Sequence, residues 1–179
     1  MASTRPAYAA ATTLPVEPKP RPRDHLGWAL VGWILLCALT GGLGGLSAAS
    51  SLRTWYLHLA KPPYTPPEWV FAPVWTVLYV AIGVAAWLAW KTRNSDCRRR
   101  GLRLFLVQLF LNFSWTYIFF GAHRPSAALF EVALLAISIG LTANTFFKMT
   151  RTAGWLMTAY LAWVLFAAYL NYGIWRLNS

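Results

Sequence analysis

The chain has 179 residues, of which 58% are hydrophobic and 12% charged, with a formal net charge of +11. Soluble domains carry about 25% charged residues. The charges here sit between long apolar runs rather than along a polar face, which excludes a basic nucleic-acid-binding surface and leaves membrane topology as their explanation.

Residues 1–25 are rich in Ala, Thr and Pro and carry Arg5, Lys19, Arg21 and Arg23. Such a stretch is expected to be an extended, disordered tail. It lacks the charged start and immediate apolar core of a secretory signal, and Glu17, Asp24 and the prolines argue against a transit peptide. Cys37 lies in an apolar run and Cys97 in a basic loop, while His25, His58 and His123 are scattered. Neither a disulfide framework nor a metal site is expected from these spacings.

Five apolar segments follow, at about 26–48, 69–90, 102–120, 127–147 and 154–175. Each approaches the ~20 residues that an α-helix needs to cross a bilayer core. The expected fold is therefore an all-α integral membrane protein, a bundle of five transmembrane helices, with a long loop only at 49–68. An odd number of spans puts the termini on opposite sides. Twelve Lys and Arg residues fall on the N-terminal side and four (Arg53, Lys61, Arg124, Arg176) on the other, which predicts a cytoplasmic N-terminus. Trp28, Trp55, Trp69, Trp90, Trp155 and Trp175 lie near segment ends, as an aromatic belt requires. Gly41 and Gly45 make a GxxxG step that suits close helix contact.

The stretch Lys61–Tyr79, KPPYTPPEWVFAPVWTVLY, stands apart. Pro62, Pro63, Pro66 and Pro67 fix φ and remove backbone donors, so they read as a stiff loop feeding a helix from about Trp69. Pro73 then falls in the first turn or so, where a missing N–H costs little.

The belt does not account for Trp75, Trp115 and Trp163, which lie inside their segments, in the half beneath the proline-rich loop or near the midplane. Trp75 and Tyr79 share a face, as do Gln108, Asn112, Trp115 and Phe119, and Trp163, Phe166, Ala167, Leu170 and Asn171. Amides are costly in lipid, so Asn112 and Asn171 should face inward. Three aromatic faces with a few convergent polar groups describe an apolar ligand pocket, but they describe helix packing with cross-helix amide bonds equally well. Glu131, inside the fourth segment, either pairs with Arg124 or Arg176 or reaches the interface. No nucleophile–base pair, carboxylate dyad or phosphate loop is present; the glycines at 41–45 lack the Lys-Ser/Thr that a P-loop needs.

Three blocks carry a resemblance: Lys61–Tyr79, then QLFLNFSWTYIFFG from Gln108, then YLAWVLFAAYLNYGIWR from Tyr160. Together they resemble the translocator protein, or tryptophan-rich sensory protein, family (TspO/MBR, the peripheral benzodiazepine receptor family) over roughly residues 26–178. The resemblance implies a five-helix membrane domain that acts as a receptor or sensor-transporter. Its pocket, beneath the loop between helices one and two, would bind porphyrins (protoporphyrin IX, haem), sterols and benzodiazepine-type drugs, with no obligatory cofactor. Positions aligned with family ligand contacts are Phe71, Ala72, Asn112, Trp115, Phe166, Ala167 and Leu170. Trp75 and Trp163 match tryptophans linked to porphyrin binding and its light-dependent breakdown, which makes them the candidates if the chain is instead a photo-oxidation catalyst. Leu170, Tyr172 and Arg176 match a sterol-recognition pattern. Porphyrin carboxylates would reach toward Lys61, Arg124 or Arg176. The chain departs from the family at Tyr64, where many members have Trp, and at Ala127. Arg103 and Val107 stand where mammalian members have the small residues of a dimer contact. The expected partners are the lipid bilayer and a tetrapyrrole or sterol, with a homodimer left open and nucleic acid excluded. The expected location is a bacterial cell membrane, with a bacterial or mitochondrial outer membrane as the alternative; a purely structural or partner-regulating role is the third reading.

Overall fold

The computed structural model describes residues 24–179. The tail expected over residues 1–25 lies outside the described residues, apart from Asp24 and His25, which open the first helix. Five long helices follow in chain order: α1 (Asp24–Arg53), α2 (Glu68–Trp90), α3 (Ser95–Thr116), α4 (Pro125–Phe147) and α5 (Arg151–Leu177). Each is long and apolar enough to cross a membrane, and there is no strand among the described residues. With no water in a bilayer core, a spanning segment must satisfy its own backbone, which a helix does.

Helix ends follow local chemistry more closely than hydropathy. The Asn94 side chain caps α3 by accepting from the Cys97 N–H at 3.0 Å, so Cys97 and Arg98–Arg103 lie in helix, not in the expected basic loop. The Thr150 hydroxyl accepts from the Ala153 N–H at 3.1 Å and starts α5. Pro125 opens α4, where its missing N–H would have had no partner. At the other end of α1, Ala49–Arg53 continue the helix beyond the apolar run, so the expected 49–68 loop shrinks to residues 54–67 and contains a 3₁₀ turn, Tyr56–His58. α2 starts at Glu68, one residue early, and Pro73 is its sixth residue, in the second turn.

α3 does not end cleanly. It widens into a π-helical turn, Tyr117–Gly121, and the chain reverses through His123, whose φ of 53° lies in the left-handed region. That conformation is uncommon without a glycine, and two contacts hold it. The Ser51 hydroxyl donates to the Phe120 carbonyl at 2.5 Å, which leaves its oxygen to accept from His123 Nε2 at 2.9 Å. The Trp55 ring stacks on the imidazole at 4.5 Å.

The tightest part of the bundle is α3, α4 and α5, around Phe105, Leu135, Ile139, Phe146, Met157 and Val164. α1 packs chiefly on α2 and turns Leu35, Leu39, Leu43 and Leu46 outward. The α1–α2 crossing depends on Gly83, where a Cβ would come within 2.9 Å of the Ile34 Cα. The expected GxxxG contact is only half used: Gly41 lies against the Tyr79 ring, but Gly45 has open space beside it.

The proline-rich loop is pinned across the end of α5. Asn178 Oδ1 accepts from the Ala60 N–H and its Nδ2 donates to the Ala60 carbonyl, both at 3.0 Å. Pro62 sits directly on Gly173, where any side chain would displace it, and the Tyr169 hydroxyl donates to the Pro63 carbonyl at 3.2 Å.

Candidate functional site

Beneath this loop, α1, α2, the end of α3 and α5 enclose a cavity of about 520 Å³. That volume falls within the roughly 300–1,000 Å³ of small-molecule sites. The cavity runs from Tyr56 and Glu68 beside the loop to Ala38 on α1 and Val80 on α2. At 1.5 Å per residue this is a depth of about 18–21 Å.

Its walls differ in character. α1 contributes Ala38, Gly41, Gly42, Gly44, Gly45, Ala48 and Leu52, a wall of small residues below Leu52 in which Gly41 is covered by the Tyr79 ring and Gly44 faces Thr116. The opposite surfaces are aromatic: Phe71, Trp75 and Tyr79 from α2, and Trp115, Phe119 and Phe120 from α3 and its π turn. Gly42 and Gly45 border the cavity at its exposed edge, where a Cβ at either meets nothing within 4 Å. Ala38, Gly42 and Gly45 on α1 and Ala72, Thr76 and Val80 on α2 line the cavity and are themselves exposed. The cavity therefore communicates with the exterior along the α1–α2 seam.

Trp75 is held among three aromatic neighbours. Its ring lies 5.6 Å from Tyr79, stacked, and 6.3 Å from both Trp115 and Tyr160. Behind them Asn112 supplies the polar support. Its Oδ1 accepts from the Tyr79 hydroxyl at 2.5 Å and its Nδ2 donates to the Tyr160 hydroxyl at 2.9 Å. Asn171 does the same for the next ring: its Oδ1 accepts from Trp115 Nε1 at 3.2 Å and its Nδ2 donates to the Pro125 carbonyl at 2.7 Å. Both amides face inward, where their donors and acceptors are satisfied.

At the loop end the polar groups gather. Lys61 Nζ pairs with Glu68 at 3.2 Å and lies 4.4 Å from the centre of the Tyr56 ring. Burial, and then the Glu68 carboxylate, push the Tyr56 phenol above its ordinary value, so it is neutral near pH 7. Lys61 does not itself line the cavity, but it contacts two residues that do, Tyr56 and Glu68. Arg124 and Arg176 are exposed and do not line it, and neither pairs with Glu131 among the described residues.

Of the residues singled out from the sequence, the cavity brings together Phe71, Ala72, Trp75, Trp115, Ala167, Leu170 and Asn171. Asn112, Trp163 and Phe166 do not line it. Trp163 lies behind Phe71, with ring centres 6.0 Å apart, and packs on Phe166 at 5.5 Å; its Nε1 is buried without a hydrogen-bond partner. Leu170, Tyr172 and Arg176 do not converge: Leu170 is buried in the cavity wall, while Tyr172 and Arg176 face outward. Sequence reasoning missed the glycine wall, Tyr56, Glu68 and Thr116. The signal for the first was the glycine run at 41–45, which reads as a contact motif until the open space beside Gly42 and Gly45 is seen.

Ser51 and His123 form a Ser–His contact near the cavity, but the serine proton is committed to Phe120 and no acid orients the imidazole, so it is a clamp rather than a nucleophile pair. Among the described residues no three His, Cys, Asp or Glu side chains come together.

The comparisons with known proteins agree with the architecture. The TspO/MBR family profile matches residues 33–176. The chain is 39% identical over 151 residues to the tryptophan-rich protein TspO of Archaeoglobus fulgidus, covering 84% of this chain and 97% of that one. It is 36% identical to the translocator protein of Bos taurus, covering 83% and 89%, and 32% identical to the protein CrtK of Rhodobacter capsulatus, covering 82% and 90%. Five spanning helices, the proline-rich loop over an aromatic cavity and these matches place the chain in the TspO/MBR family, as an integral multi-pass membrane protein.

Proposed function

We propose that this protein is a membrane receptor or sensor-transporter for a flat, apolar ligand carrying one or more acidic arms, and that a tetrapyrrole such as protoporphyrin IX or haem is the ligand class. The observation that carries this reading is the pairing of an aromatic wall with a glycine-rich wall across one cavity. A flat ring system would lie against Trp75 and Trp115 on one side and against α1 at Gly42 and Gly45, where no side chain obstructs it, on the other. A sterol presents a comparable apolar slab but lacks the acid that Lys61 is placed to receive. On binding, a carboxylate arm competes with Glu68 for the Lys61 ammonium.

The exposed lining residues along the α1–α2 seam support access from the bilayer, where such ligands partition. The membrane we propose is a bacterial cell membrane, with the N-terminus in the cytoplasm, from the twelve-to-four division of Lys and Arg.

The test is a titration of the purified protein with protoporphyrin IX, followed by tryptophan quenching and retained porphyrin absorbance. Saturable binding at one equivalent is expected, with Lys61→Met weakening protoporphyrin IX but not a sterol. Absence of saturable binding contradicts the reading. Illumination of the complex separates the catalytic alternative, since only a catalyst gives an altered pigment whose yield depends on Trp75.

A further inference from the structure

The N-terminal end of α3 carries more positive charge than the described residues neutralise. Arg98, Arg99, Arg100 and Arg103 fall in the first turns of a helix that starts at Ser95, where the positive end of the helix dipole disfavours cations. Two of them are accounted for. Arg98 Nη1 donates to the Thr92 carbonyl at 2.9 Å, and Arg99 Nη2 donates to Asp96 Oδ1 at 2.5 Å. Arg100 and Arg103 make no hydrogen bond or ion pair among the described residues. With Asp96, Arg99 and Leu104 they line one shallow concavity on the outer face of the helix.

Along the same face α3 becomes apolar and stays uncovered. Val107, Phe110 and Tyr117 are exposed. They lie 4, 7 and 14 residues beyond Arg103, which is a single stripe on a helix. It extends about 21 Å from Arg103, at 1.5 Å per residue, enough for the ~15 Å of hydrocarbon in one leaflet.

Unpartnered guanidinium groups at the membrane boundary, with an apolar strip running away from them into the bilayer, match the charge and shape of a phospholipid. A free inorganic anion leaves the strip uncovered. A second copy packed about a two-fold axis along the membrane normal brings like residues together, so Arg103 meets Arg103. We propose that this face of α3 binds an anionic glycerophospholipid, with Arg100 and Arg103 holding the phosphate and Val107 and Phe110 the acyl chain. The planar guanidinium fork suits a phosphate better than an ammonium does.

The test uses the full-length protein in a neutral detergent, with native mass spectrometry of lipid retained from mixed micelles of dioleoylphosphatidylglycerol and dioleoylphosphatidylcholine. Wild type is expected to retain phosphatidylglycerol preferentially. The Arg100→Gln, Arg103→Gln pair should lower that retention about 10- to 30-fold. A control pair at the same membrane end, Arg93→Gln with Lys148→Gln, removes equal charge and should leave retention within about twofold of wild type. Arg100→Lys with Arg103→Lys keeps the charge and should retain an intermediate amount. Helix content by circular dichroism is read on every variant, and the Lys pair decides the matter if the Gln pair does not fold. Equal loss in the control pair would show a general field rather than a site and overturn the proposal. So would undiminished retention in the Gln pair, an unchanged or wholly lost preference in the Lys pair, displacement of the lipid by millimolar inorganic phosphate, or a lipid-free dimer that Arg103→Gln dissociates.

Discussion

The Trp115 indole N–H donates to the Asn171 side-chain oxygen at 3.2 Å, and this bond sets how α3 and α5 present their faces to the cavity. The same amide donates to Pro125, so one side chain ties three helices together. Asn171→Leu keeps the volume and leaves the buried Trp115 indole N–H unpaired, while the Pro125 carbonyl keeps its place in the α4 helix ladder. It should cost about 1–3 kcal/mol and lower the thermal midpoint in detergent. A midpoint equal to wild type would show that a neighbouring group replaces the bond to the Trp115 indole.

The loop depends on Gly173. A Cβ there meets the Pro62 ring, so Gly173→Val should lift residues 59–66 from α5 while leaving the helices in place. The expected readout is faster proteolysis within the loop and faster ligand dissociation, with helix content unchanged. Cleavage at the wild-type rate would mean that the Asn178–Ala60 bonds hold the loop alone.

Trp75 and Trp163 matched the same family role in the sequence, but their places differ. Trp75 lines the cavity; Trp163 reaches it only through Phe71. Removing a stacked ring forfeits roughly 0.5–1.5 kcal/mol beyond the buried area, so Trp75→Ala should weaken protoporphyrin IX about tenfold or more. Trp163→Ala should weaken it less. An equal or larger loss at Trp163 in the same titration would place ligand behind Phe71.

The number and type of helices were legible because bilayer-length apolar runs permit little else. Their ends were not, because capping decides them: Asn94 draws Arg98–Arg103 into α3 although those residues are far from apolar. The aromatic half of the cavity was readable from helical spacing, as Trp75, Trp115 and Phe119 show. Its empty half was not, since a glycine says that a side chain is missing but not whether another helix or open space takes its place. Gly41 turned out to be the first case and Gly45 the second. The roles of Asn112 and Asn171 were also ambiguous. Asn112 supports two tyrosines from behind, as packing would have it, while Asn171 both bonds Trp115 and lines the cavity.

Reporter fusions at the two ends should report opposite compartments, with the N-terminal one cytoplasmic. The ground is the twelve-to-four Lys and Arg division across five spans. Both reporters in one compartment would contradict the five spans.

The central claim is that ligand occupies the space between the α1 glycines and the α2–α3 aromatic wall. The most direct measurement fills that space. Gly45→Leu adds a side chain at a cavity-lining position on its exposed edge, where a Cβ meets nothing within 4 Å. Gly32→Leu makes the same change on an exposed part of α1 that does not line the cavity. Both variants and wild type are titrated with protoporphyrin IX in one detergent, with helix content and thermal midpoint as controls. Loss of saturable binding in Gly45→Leu, with Gly32→Leu binding like wild type, is the predicted result; wild-type affinity in a folded Gly45→Leu protein would contradict it.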